Sequence, residues 1–346
     1  MDLDVVFLGT AGSMPTAERS ATALLVRRGG ERLLFDCAEG TQRQFLRSSL
    51  GLVDLREVFL THYHADHYLG LPGMMKTFAL RGREAPLTIY GPPGLGQLFA
   101  SLRRIFGRLT YEYDLVELRP GDILARDGYR LRTFPVQHRV SSVGYALVED
   151  ERPGRFDVET ADALGVPFGP ERGALQRGEA VRLANGSTVT PEQVLGEARP
   201  GRTIVITGDT APTRSVLEAS IEADLLVHEA TFLEDERERA EETGHSTAVD
   251  AARIAQAAGV RMLALTHLSP RYFGREAARE ARAVFIDTAV PKDFDIIDVR
   301  FEERGGPHLI KGGALPGRGD PVPVGNSAPD PEVPVPHEIV PEENAR

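Results

Sequence analysis

Three histidines and one aspartate stand within a stretch of six residues, which reads His62-Tyr63-His64-Ala65-Asp66-His67. The stretch directly follows the strand-like segment REVFLT at residues 56–61. Four such side chains cannot all converge from a regular strand or helix, whereas a tight loop between a strand and a helix can bring them together. Neutral imidazole and carboxylate groups suit a divalent cation such as zinc. The stretch therefore predicts a metal-binding loop, although a single histidine near a strand end is usually a core or surface residue.

Further residues of ligand type follow three other apolar segments. His138, Asp209 and His267 each stand just beyond the end of a strand-like run. Loops at one end of a sheet are where sites are commonly built. Taken singly, Asp209 also suits a helix cap, and His138 also suits an exposed loop position. Taken together with the 62–67 stretch, the three residues are predicted to complete two metal sites.

The elements that must position these residues alternate along the chain. Short apolar runs bounded by glycine or charged residues predict strands at 5–8, 23–26, 33–35, 56–61, 87–90, 131–134, 143–147, 203–207, 225–227, 262–266 and 294–299. Apolar spacing predicts helices at 68–80, 248–258 and 275–285. Ser246 and Thr247 are suited to cap the helix at 248–258.

Two segments differ in composition from the rest of the chain. Residues 151–199 are rich in Gly, Pro, Arg and Glu, and their apolar residues are scattered. We expect a projecting insertion there that adds little to the core. Residues 305–346 are rich in Pro and Gly, and we expect a disordered tail because such a segment buries too little apolar surface. The sequence thus predicts one main domain at 1–304 that carries the insertion.

Composition narrows the class of protein. The formal net charge is −11, which taken alone argues against a nucleic-acid binder, because phosphate contacts need Lys and Arg. The basic residues are nearly all arginines, and the lysines are Lys76, Lys292 and Lys311. No run approaches the roughly 18 apolar residues of a membrane span, and the acidic start does not resemble a signal peptide. With Cys37 as the single cysteine, no internal disulfide is possible, so we expect a soluble cytoplasmic protein.

The H-x-H-x-D-H spacing with a later His, Asp and His resembles the metallo-β-lactamase superfamily. More specific segments resemble the ribonuclease Z family and are spread over nearly the whole chain except the tail. These segments are Phe7-Leu8-Gly9-Thr10, Phe35-Asp36-Cys37-Ala38-Glu39-Gly40-Thr41-Gln42, Gly70-Leu71-Pro72-Gly73, Gly208-Asp209-Thr210, His228-Glu229-Ala230-Thr231, His245-Ser246-Thr247 and Thr266-His267-Leu268-Ser269 followed by Arg271-Tyr272. Ala38 and Ala65 stand where the family commonly has glycine. Both departures lie outside the expected ligands.

The resemblance implies an α/β fold, the αββα sandwich in which two mixed β-sheets pack face to face with helices outside. It also implies two zinc ions per subunit and no organic cofactor. One zinc would be held by His62, His64, His138 and Asp209. The other would be held by Asp66, His67, Asp209 and His267, so that Asp209 bridges the pair.

The implied activity is a zinc-dependent endoribonuclease that cleaves 3′ extensions from precursor tRNA, leaving a 3′-hydroxyl on the tRNA and a 5′-phosphate on the trailer. Asp66 would accept the proton of the attacking water. We expect His245, assisted by Glu229, to protonate the leaving 3′ oxygen. His228 is expected to support the ligands, and Ser269 and Arg271 to hold a substrate phosphate. Packing, capping or a structural ion pair is the alternative reading for these residues.

The 151–199 insertion resembles the flexible arm by which the family clamps tRNA. RNA helices are gripped mainly through shape and backbone contacts, which call for basic side chains. Four arginines are available for this purpose, namely Arg155, Arg172, Arg177 and Arg182. The glutamates among them also fit an ordinary solvated loop. The family further implies a homodimer and no membrane partner.

Two other functions stay open at this point, because the fold does not fix the substrate. One is a zinc phosphodiesterase that acts on small phosphodiesters, for which a projecting arm of this length has no evident use. The other is a catalytically inactive RNA-binding scaffold. Such chains lose metal ligands, whereas every expected ligand position is filled here.

Overall fold

The computed structural model describes residues 1–52 and 55–315. Its strands are β1 Leu3–Gly9, β2 Ala23–Arg28, β3 Glu31–Phe35, β4 Glu57–Phe59, β5 Leu87–Gly91, β6 Tyr113–Glu117, β7 Ile123–Arg126, β8 Tyr129–Pro135, β9 Val143–Glu149, β10 Val181–Arg182, β11 Thr188–Val189, β12 Thr203–Ile206, β13 Leu225–Glu229, β14 Met262–Thr266, β15 Thr288–Ala289, β16 Ile296–Val299 and β17 Pro307–Ile310. Its helices are α1 Thr41–Arg47, α2 Ala65–Tyr68, α3 Gly70–Leu80, α4 Leu95–Phe106, α5 Val158–Ala163, α6 Pro170–Gln176, α7 Pro191–Val194, α8 Arg214–Ala219, α9 Arg237–Thr243, α10 Ala248–Ala258 and α11 Gly274–Arg282, with short 3₁₀ turns at Glu234–Glu236 and Glu302–Arg304. Every strand predicted from the sequence coincides with an observed strand, with ends that differ by a few residues.

The strands assemble into two large mixed sheets. The first has the order β17-β16-β1-β2-β3-β4-β5-β6, and the second has the order β15-β14-β13-β12-β9-β8-β7. In the first sheet β3, β4, β5 and β6 run parallel, and in the second β12, β13, β14 and β15 do so. The carboxyl ends of parallel strands share one edge of a sheet, which gathers the loops that follow them.

The central strands are apolar on both faces because both faces are covered. In β1, Leu3, Val5 and Phe7 point into the core between the two sheets. Val6 and Leu8, on the alternate face, pack under the helices of the first sheet. A third core lies between the second sheet and helices that include α8, α10 and α11. These layers confirm the αββα sandwich of the metallo-β-lactamase fold.

The predicted helix at 68–80 is two helices, α2 and α3. Pro72 is the third residue of α3, where a backbone N–H would have no partner inside the helix. A proline therefore costs little at this position. The predicted helix at 248–258 is confirmed as α10, and the Thr247 hydroxyl accepts a hydrogen bond from the backbone N–H of Asp250 at 3.1 Å.

The 151–199 insertion folds around a small core of its own. Helices α5, α6 and α7 and the β10–β11 hairpin surround seven buried apolar residues, which are Ala161, Val166, Leu175, Val181, Leu183, Val189 and Val194. At the base of the insertion, Arg152 pairs with Arg199 in an isolated bridge, and the backbone of Gly154 lies against that of Gly196. The two chain segments that carry the insertion thus run side by side.

The predicted start of the tail at residue 305 is wrong. Residues 307–310 form β17, which pairs antiparallel with β16, and Ala314 is buried in the core beneath the first sheet. The sequence Gly305-Gly306-Pro307 at the start of β17 does not predict a strand. The strand forms because it pairs with the edge of β16, and local propensity does not specify it. The rest of the predicted tail, residues 316–346, lies outside the described residues. Within the described ranges no helix is long and apolar enough to cross a membrane.

A buried ion cluster ties the two sheets together at the end of β9. The Glu149 carboxylate accepts hydrogen bonds from Arg28 Nε at 3.0 Å and from Arg202 Nε at 2.7 Å. Arg202 also donates to the carbonyl oxygens of Met1 and Val299. Burial alone would raise the pKa of Glu149, but the hydrogen bonds and charge of Arg202, joined by Arg28, lower it.

We expect Glu149→Gln to lower the free energy of unfolding by about 3–5 kcal/mol, because it leaves two buried guanidinium groups without their counter-ion. Urea denaturation at neutral pH measures this loss. The matched control is Glu31→Gln, which removes an exposed partner of Arg28 at 3.7 Å and should cost less than about 1 kcal/mol. Equal losses in the two variants would contradict the assignment.

The same cluster gives a dependence on pH. The pKa of Glu149 is lower in the folded chain than in the unfolded chain, so its contribution is complete above the unfolded value of about 4.3. The contribution disappears as the pH falls through the folded value. The difference in free energy of unfolding between wild type and Glu149→Gln should therefore become smaller as the pH is lowered.

Candidate metal centre

The loops after five strands meet at one end of the sandwich. The 62–67 stretch follows β4 of the first sheet, and its last residues begin α2. His138, Asp209 and His267 lie just beyond β8, β12 and β14 of the second sheet. Glu229 ends β13. The two sheets thus face the same small volume with histidine and carboxylate side chains.

Four of the predicted ligands form one group. His62, His64, His138 and Asp209 each offer a ligand atom, and these atoms all lie within 4.8 Å of one another. The Nδ1 atom of His64 lies 3.0 Å from Nε2 of His62 and 3.1 Å from Nε2 of His138. Oδ2 of Asp209 lies 3.6 Å from Nε2 of His62.

The other predicted ligands form a second group, which consists of Asp66, His67 and His267. The Nε2 atoms of His67 and His267 are 3.2 Å apart, and Nε2 of His267 lies 3.3 Å from Oδ2 of Asp66. Asp209 also reaches this group, with Oδ1 at 3.4 Å from His267 and Oδ2 at 3.4 Å from His67. The buried Asp209 carboxylate therefore lies between the two groups.

A hydrogen bond on the outer side of each of four rings decides which nitrogen faces inward. Nδ1 of His67 donates to Asp36 at 2.8 Å, and Nδ1 of His138 donates to the carbonyl oxygen of Gly244 at 2.8 Å. Carboxylate and carbonyl oxygens only accept, so both rings carry their proton on Nδ1. Nε2 of each ring then presents a lone pair or a second proton to the centre.

Two threonines fix the protonated nitrogen of the other two rings, those of His62 and His267. The Thr61 hydroxyl donates to Asp36 at 2.9 Å and so accepts from Nδ1 of His62 at 3.0 Å. The Thr231 hydroxyl donates to Glu229 at 2.6 Å and so accepts from Nδ1 of His267 at 2.8 Å. Hydrogen bonds of this kind, which fix the tautomer and orientation of a ring, are typical of metal-binding histidines.

The donor set fits a divalent cation. Inward nitrogens only 3.0–3.2 Å apart need a proton or a cation between them, and one cation can satisfy several of them at once. The buried Oδ1 of Asp209 has no hydrogen-bond partner among the described residues, which is costly for an ionised oxygen unless a cation satisfies it. Imidazole nitrogens with carboxylate oxygens are the ligands that zinc prefers.

The pKa values point the same way. Burial and the neighbouring His67 charge lower the pKa of His62 well below its usual value, so its ring is neutral. Burial alone would lower the pKa of His67, but Asp209 and Asp36 raise it well above the usual value. Burial alone would raise the pKa of Asp209, but His267 and His67 hold it well below, so the carboxylate is ionised. The centre is therefore an anionic pocket that favours positive charge.

Asp66 is held by the backbone of the 10–20 loop. The N–H of Ser13, which has a left-handed φ of 63°, donates to Oδ2 of Asp66 at 2.7 Å. Gly12 lies so close to His267 that a Cβ atom there would be 2.5 Å from Nδ1 of the ring. His267 itself has a φ of 55°, an uncommon value for a residue other than glycine. Strained backbone of this kind clusters at functional sites.

His245 and Glu229 form a pair at the edge of the centre. Nδ1 of His245 lies 2.7 Å from Oε1 of Glu229, and it lies 3.9 Å from Oδ2 of Asp209. Glu229 is fixed by the backbone N–H of Thr210 at 2.8 Å. Burial alone would lower the pKa of His245, but the charge of Glu229 and its hydrogen bond raise it to about 9. His245 is therefore a protonated imidazolium with a proton to give.

Three predicted supporting residues form no hydrogen bond with the predicted ligands among the described residues. His228 precedes Glu229 on β13 and so points to the opposite face, where it is buried and its Nε2 has no partner among the described residues. Ser269 is buried and accepts from the backbone of Arg271. The Arg271 guanidinium forms an ion pair with Glu236 at 3.0 Å. This is the structural ion pair that was the alternative to a phosphate-binding role for Arg271.

The arm arginines fall into two kinds. Arg172 is mostly buried, and it pairs with Asp162 and donates to the carbonyl oxygen of Val166 at 2.9 Å, so it holds the arm together. Arg177 is exposed and pairs with Glu179 at 3.0 Å. Arg155 and Arg182 are exposed. Arg172 is therefore the arginine least suited to contact RNA.

Four further residues position the centre without being predicted from the sequence, namely Asp36, Thr61, Thr231 and Ser13. Asp36 stands in a family-like segment, and Thr231 stands in another. Asp36 also has a left-handed φ of 57°, which Asp tolerates better than most residues. The signal that could have identified Asp36 is a carboxylate placed directly after a strand that neighbours β4.

Comparison with known proteins gives consistent matches over most of the chain. Residues 16–267 match the metallo-beta-lactamase superfamily. The chain is 48% identical over 311 residues to the ribonuclease Z of Haloferax volcanii, a match that covers 88% of this chain and 98% of that protein. It is 49% identical over 271 residues to the ribonuclease Z of Myxococcus xanthus, covering 78% of this chain and 88% of that one. It is also similar to the crystal structure of the short form of human tRNase Z, with a TM-score of 0.63, 28% identity, and coverage of 86% of this chain and 100% of that chain.

We expect Asp36→Asn to weaken zinc binding by about 10–100-fold, because the variant loses the charge that orients His67 and makes it more basic. Asparagine tolerates the left-handed backbone at this position, so the fold should persist. Competition titration with a chromogenic chelator measures the affinity. Asp4→Asn, which removes an ion pair with Arg27 elsewhere in the first sheet, is the control and should bind zinc like wild type. A zinc affinity of Asp36→Asn equal to that of wild type would contradict the role of Asp36 in orienting His67.

Proposed function

The chain belongs to the ribonuclease Z family of the metallo-β-lactamase superfamily, and from that membership we propose that it is a hydrolase that cleaves 3′ extensions from precursor tRNA. Its products are a tRNA with a 3′-hydroxyl and a trailer with a 5′-phosphate. The observation that carries the proposal is the convergence of His62, His64, His138 and Asp209 with Asp66, His67 and His267 at one end of the sandwich. This donor set is complete in a chain nearly half identical to curated ribonucleases Z.

We assign two zinc ions to the centre. His62, His64 and His138 would hold one ion, and Asp66, His67 and His267 would hold the other. Asp209, whose oxygens approach both groups, would bridge them. Bound there, a pair of divalent ions would neutralise the scissile phosphate and lower the pKa of an attacking water.

Asp66 is suited to accept the proton of that water. The Ser13 N–H fixes its Oδ2, and His267 lies 3.3 Å from the same oxygen. Burial alone would raise the pKa of Asp66, but the hydrogen bond and charge of His267, with the charge of His67, lower it. Asp66 is therefore an ionised carboxylate at neutral pH, as a proton acceptor must be.

His245 is suited to protonate the leaving 3′ oxygen of the tRNA. Its Nδ1 is occupied by Glu229, while Nε2 makes no hydrogen bond with the described residues. The neighbouring carboxylate keeps the imidazolium protonated at neutral pH. Glu229 thus orients His245 and supplies the negative charge that stabilises it, which is the usual arrangement for a general acid of this type.

The 151–199 arm is proposed to hold the tRNA body. It leaves the second sheet between β9 and β12, at the opposite end from the loop that carries Asp209. Its exposed Arg155, Arg177 and Arg182 and the fully accessible Phe168 can contact RNA backbone and bases. We further propose a cytoplasmic homodimer in which the arm of one subunit serves the centre of the other, and this rests on the family resemblance.

We expect Asp66→Ala to lower kcat for precursor tRNA by at least about 10²–10⁴-fold, because it removes the proton acceptor. The dissociation constant for tRNA should change little, since the body of the tRNA is held elsewhere. Steady-state cleavage and filter binding measure the two quantities, with zinc content determined on the same samples. Asp114→Ala, at an exposed position in β6, is the control. Turnover like that of wild type would contradict the role of Asp66.

Excision of the arm tests the choice of substrate. Because the backbones of Gly154 and Gly196 touch, residues 155–195 can be removed and the flanks joined directly. We expect KM for precursor tRNA to rise by at least about tenfold, which corresponds to a loss of about 1.4 kcal/mol of binding. Hydrolysis of bis(p-nitrophenyl) phosphate should persist at its original rate. If both activities fall together, the arm is a folding element and not a substrate clamp.

A further inference from the structure

A cleft of about 550 Å³ opens beside the metal centre, on the side of Asp66 and His267. One wall is the 16–19 loop, and another is the 268–275 segment that continues from His267 into α11. The third wall comes from Val290, Lys292, Leu309 and Lys311, around β16 and β17. None of these residues except Ser269 and Arg271 has been assigned a function above.

The cleft is strongly basic in a chain that is acidic overall. Its walls contain six basic residues and one acidic residue, Glu18, whereas the whole chain has a formal net charge of −11. The basic residues are Arg19, Arg271, Arg275, Arg282, Lys292 and Lys311. Two of the three lysines in the sequence are among them. A local reversal of charge of this kind attracts polyanions by steering and counterion release.

Half of these cations are free to bind a ligand. Arg271 is paired with Glu236, and Arg19 and Arg282 donate to backbone carbonyl oxygens. Arg275, Lys292 and Lys311 are exposed and form no ion pair with the described carboxylates. Exposed cations that are neither paired nor needed for packing suit phosphate groups, because binding them requires no internal contact to be broken.

An aromatic ring stands at the same cleft. Phe273 is 63% exposed, and the Arg275 guanidinium lies over its ring at 4.7 Å. A basic groove with an accessible aromatic side chain is the combination that binds single-stranded nucleic acid, since phosphates meet the cations and a base stacks on the ring.

The cleft is physically joined to the catalytic end of the sandwich. Ala11 bridges Leu268, and the N–H of Gly12 donates to the carbonyl oxygen of Leu268 at 3.0 Å. The next residue, Ser13, holds Asp66. The two walls therefore meet beside His267 and Asp66, and a strand that leaves the scissile phosphate on this side runs into the cleft.

We propose that this cleft binds the single-stranded 3′ trailer of the precursor, with phosphates on Arg275, Lys292 and Lys311 and a base stacked on Phe273. The inference rests on the proposed function and adds a site for the part of the substrate that is discarded. The acceptor stem is a poorer occupant. A duplex is gripped across a broad surface by its shape, whereas this cleft holds only a short single strand.

The test compares two precursors that share one tRNA body. One has a trailer of a single nucleotide, and the other has a trailer of about ten, within the roughly 4–16 nucleotides that single-strand sites cover. The variants are Phe273→Ala, Arg275→Gln and the double variant Lys292→Gln with Lys311→Gln. The matched control is Arg279→Gln, which changes an exposed arginine of the same helix that does not line the cleft.

For the long trailer, we expect Phe273→Ala to raise KM by about 5–150-fold, the range that corresponds to loss of one stacked base. The lysine double variant should reduce the slope of log KM against log salt by about 1.4, since each phosphate contact on a single strand contributes about 0.7. For the one-nucleotide trailer, all variants should match wild type. Equal effects on both precursors, or no effect on the long one, would overturn the proposal.

A binding assay separates this inference from the proposed function. Fluorescence anisotropy with a labelled single-stranded RNA of about ten nucleotides, and with its duplex, needs no cleavage. The cleft is supported if wild type binds the single strand more tightly than the duplex, and if this preference is lost in the cleft variants but kept in Arg279→Gln. That result supports the cleft even if wild type cleaves neither precursor and the proposed function fails. Binding that prefers the duplex, or that survives in the variants, would overturn it even if precursor cleavage is efficient.

Discussion

At the centre of the molecule's catalytic end, a buried carboxylate is surrounded by imidazole nitrogens that face one another. Asp209 has an oxygen within 3.6 Å of His62, His67 and His267, and its Oδ1 has no hydrogen-bond partner among the described residues. Such a set of close nitrogens and buried negative charge is unstable without positive charge at the centre, which a metal cation supplies. Every other feature of this end of the molecule holds that set in place, and this explains why the ligands, their hydrogen-bond partners and the strained loops are found together.

The support has three layers. The sheets bring strand ends from β4, β12 and β14 to one edge, which sets the positions of the ligands to within a few ångströms. Asp36, Thr61 and Thr231 then hold the Nδ1 protons of three rings, so that Nε2 of each ring faces the centre. Finally, the left-handed φ values of Asp36 and His267 direct these two side chains toward the centre, which a more common backbone conformation would not do. The packed αββα core stabilises that strain, and the buried Glu149 cluster fastens the far end of the same sandwich.

Charge is distributed according to the task of each surface. The centre is anionic and attracts cations, while the cleft beside it is cationic and attracts phosphate. A bulk charge of −11 conceals both, because bulk charge describes solubility and steering rather than sites. The arginines of the arm are divided in the same way. The exposed arginines lie outside its small apolar core, whereas Arg172 holds that core together. The surfaces proposed for the tRNA body and for the trailer thus lie on separate parts of one chain.

Local patterns in the sequence predicted the strands that carry the site and the seven residues that converge, because ligand types at strand ends can be identified without a structure, and the family resemblance implied the fold class. It did not reveal the roles of Asp36 or Ser13, and it assigned β17 to a tail. It also left open whether Arg172 and Arg271 bind phosphate or a carboxylate of the chain. These points depend on tertiary contacts. A hydrogen bond to a ring, the pairing of a sheet edge and the partner of an arginine all join segments that are distant in the sequence, and local propensity contains no information about them.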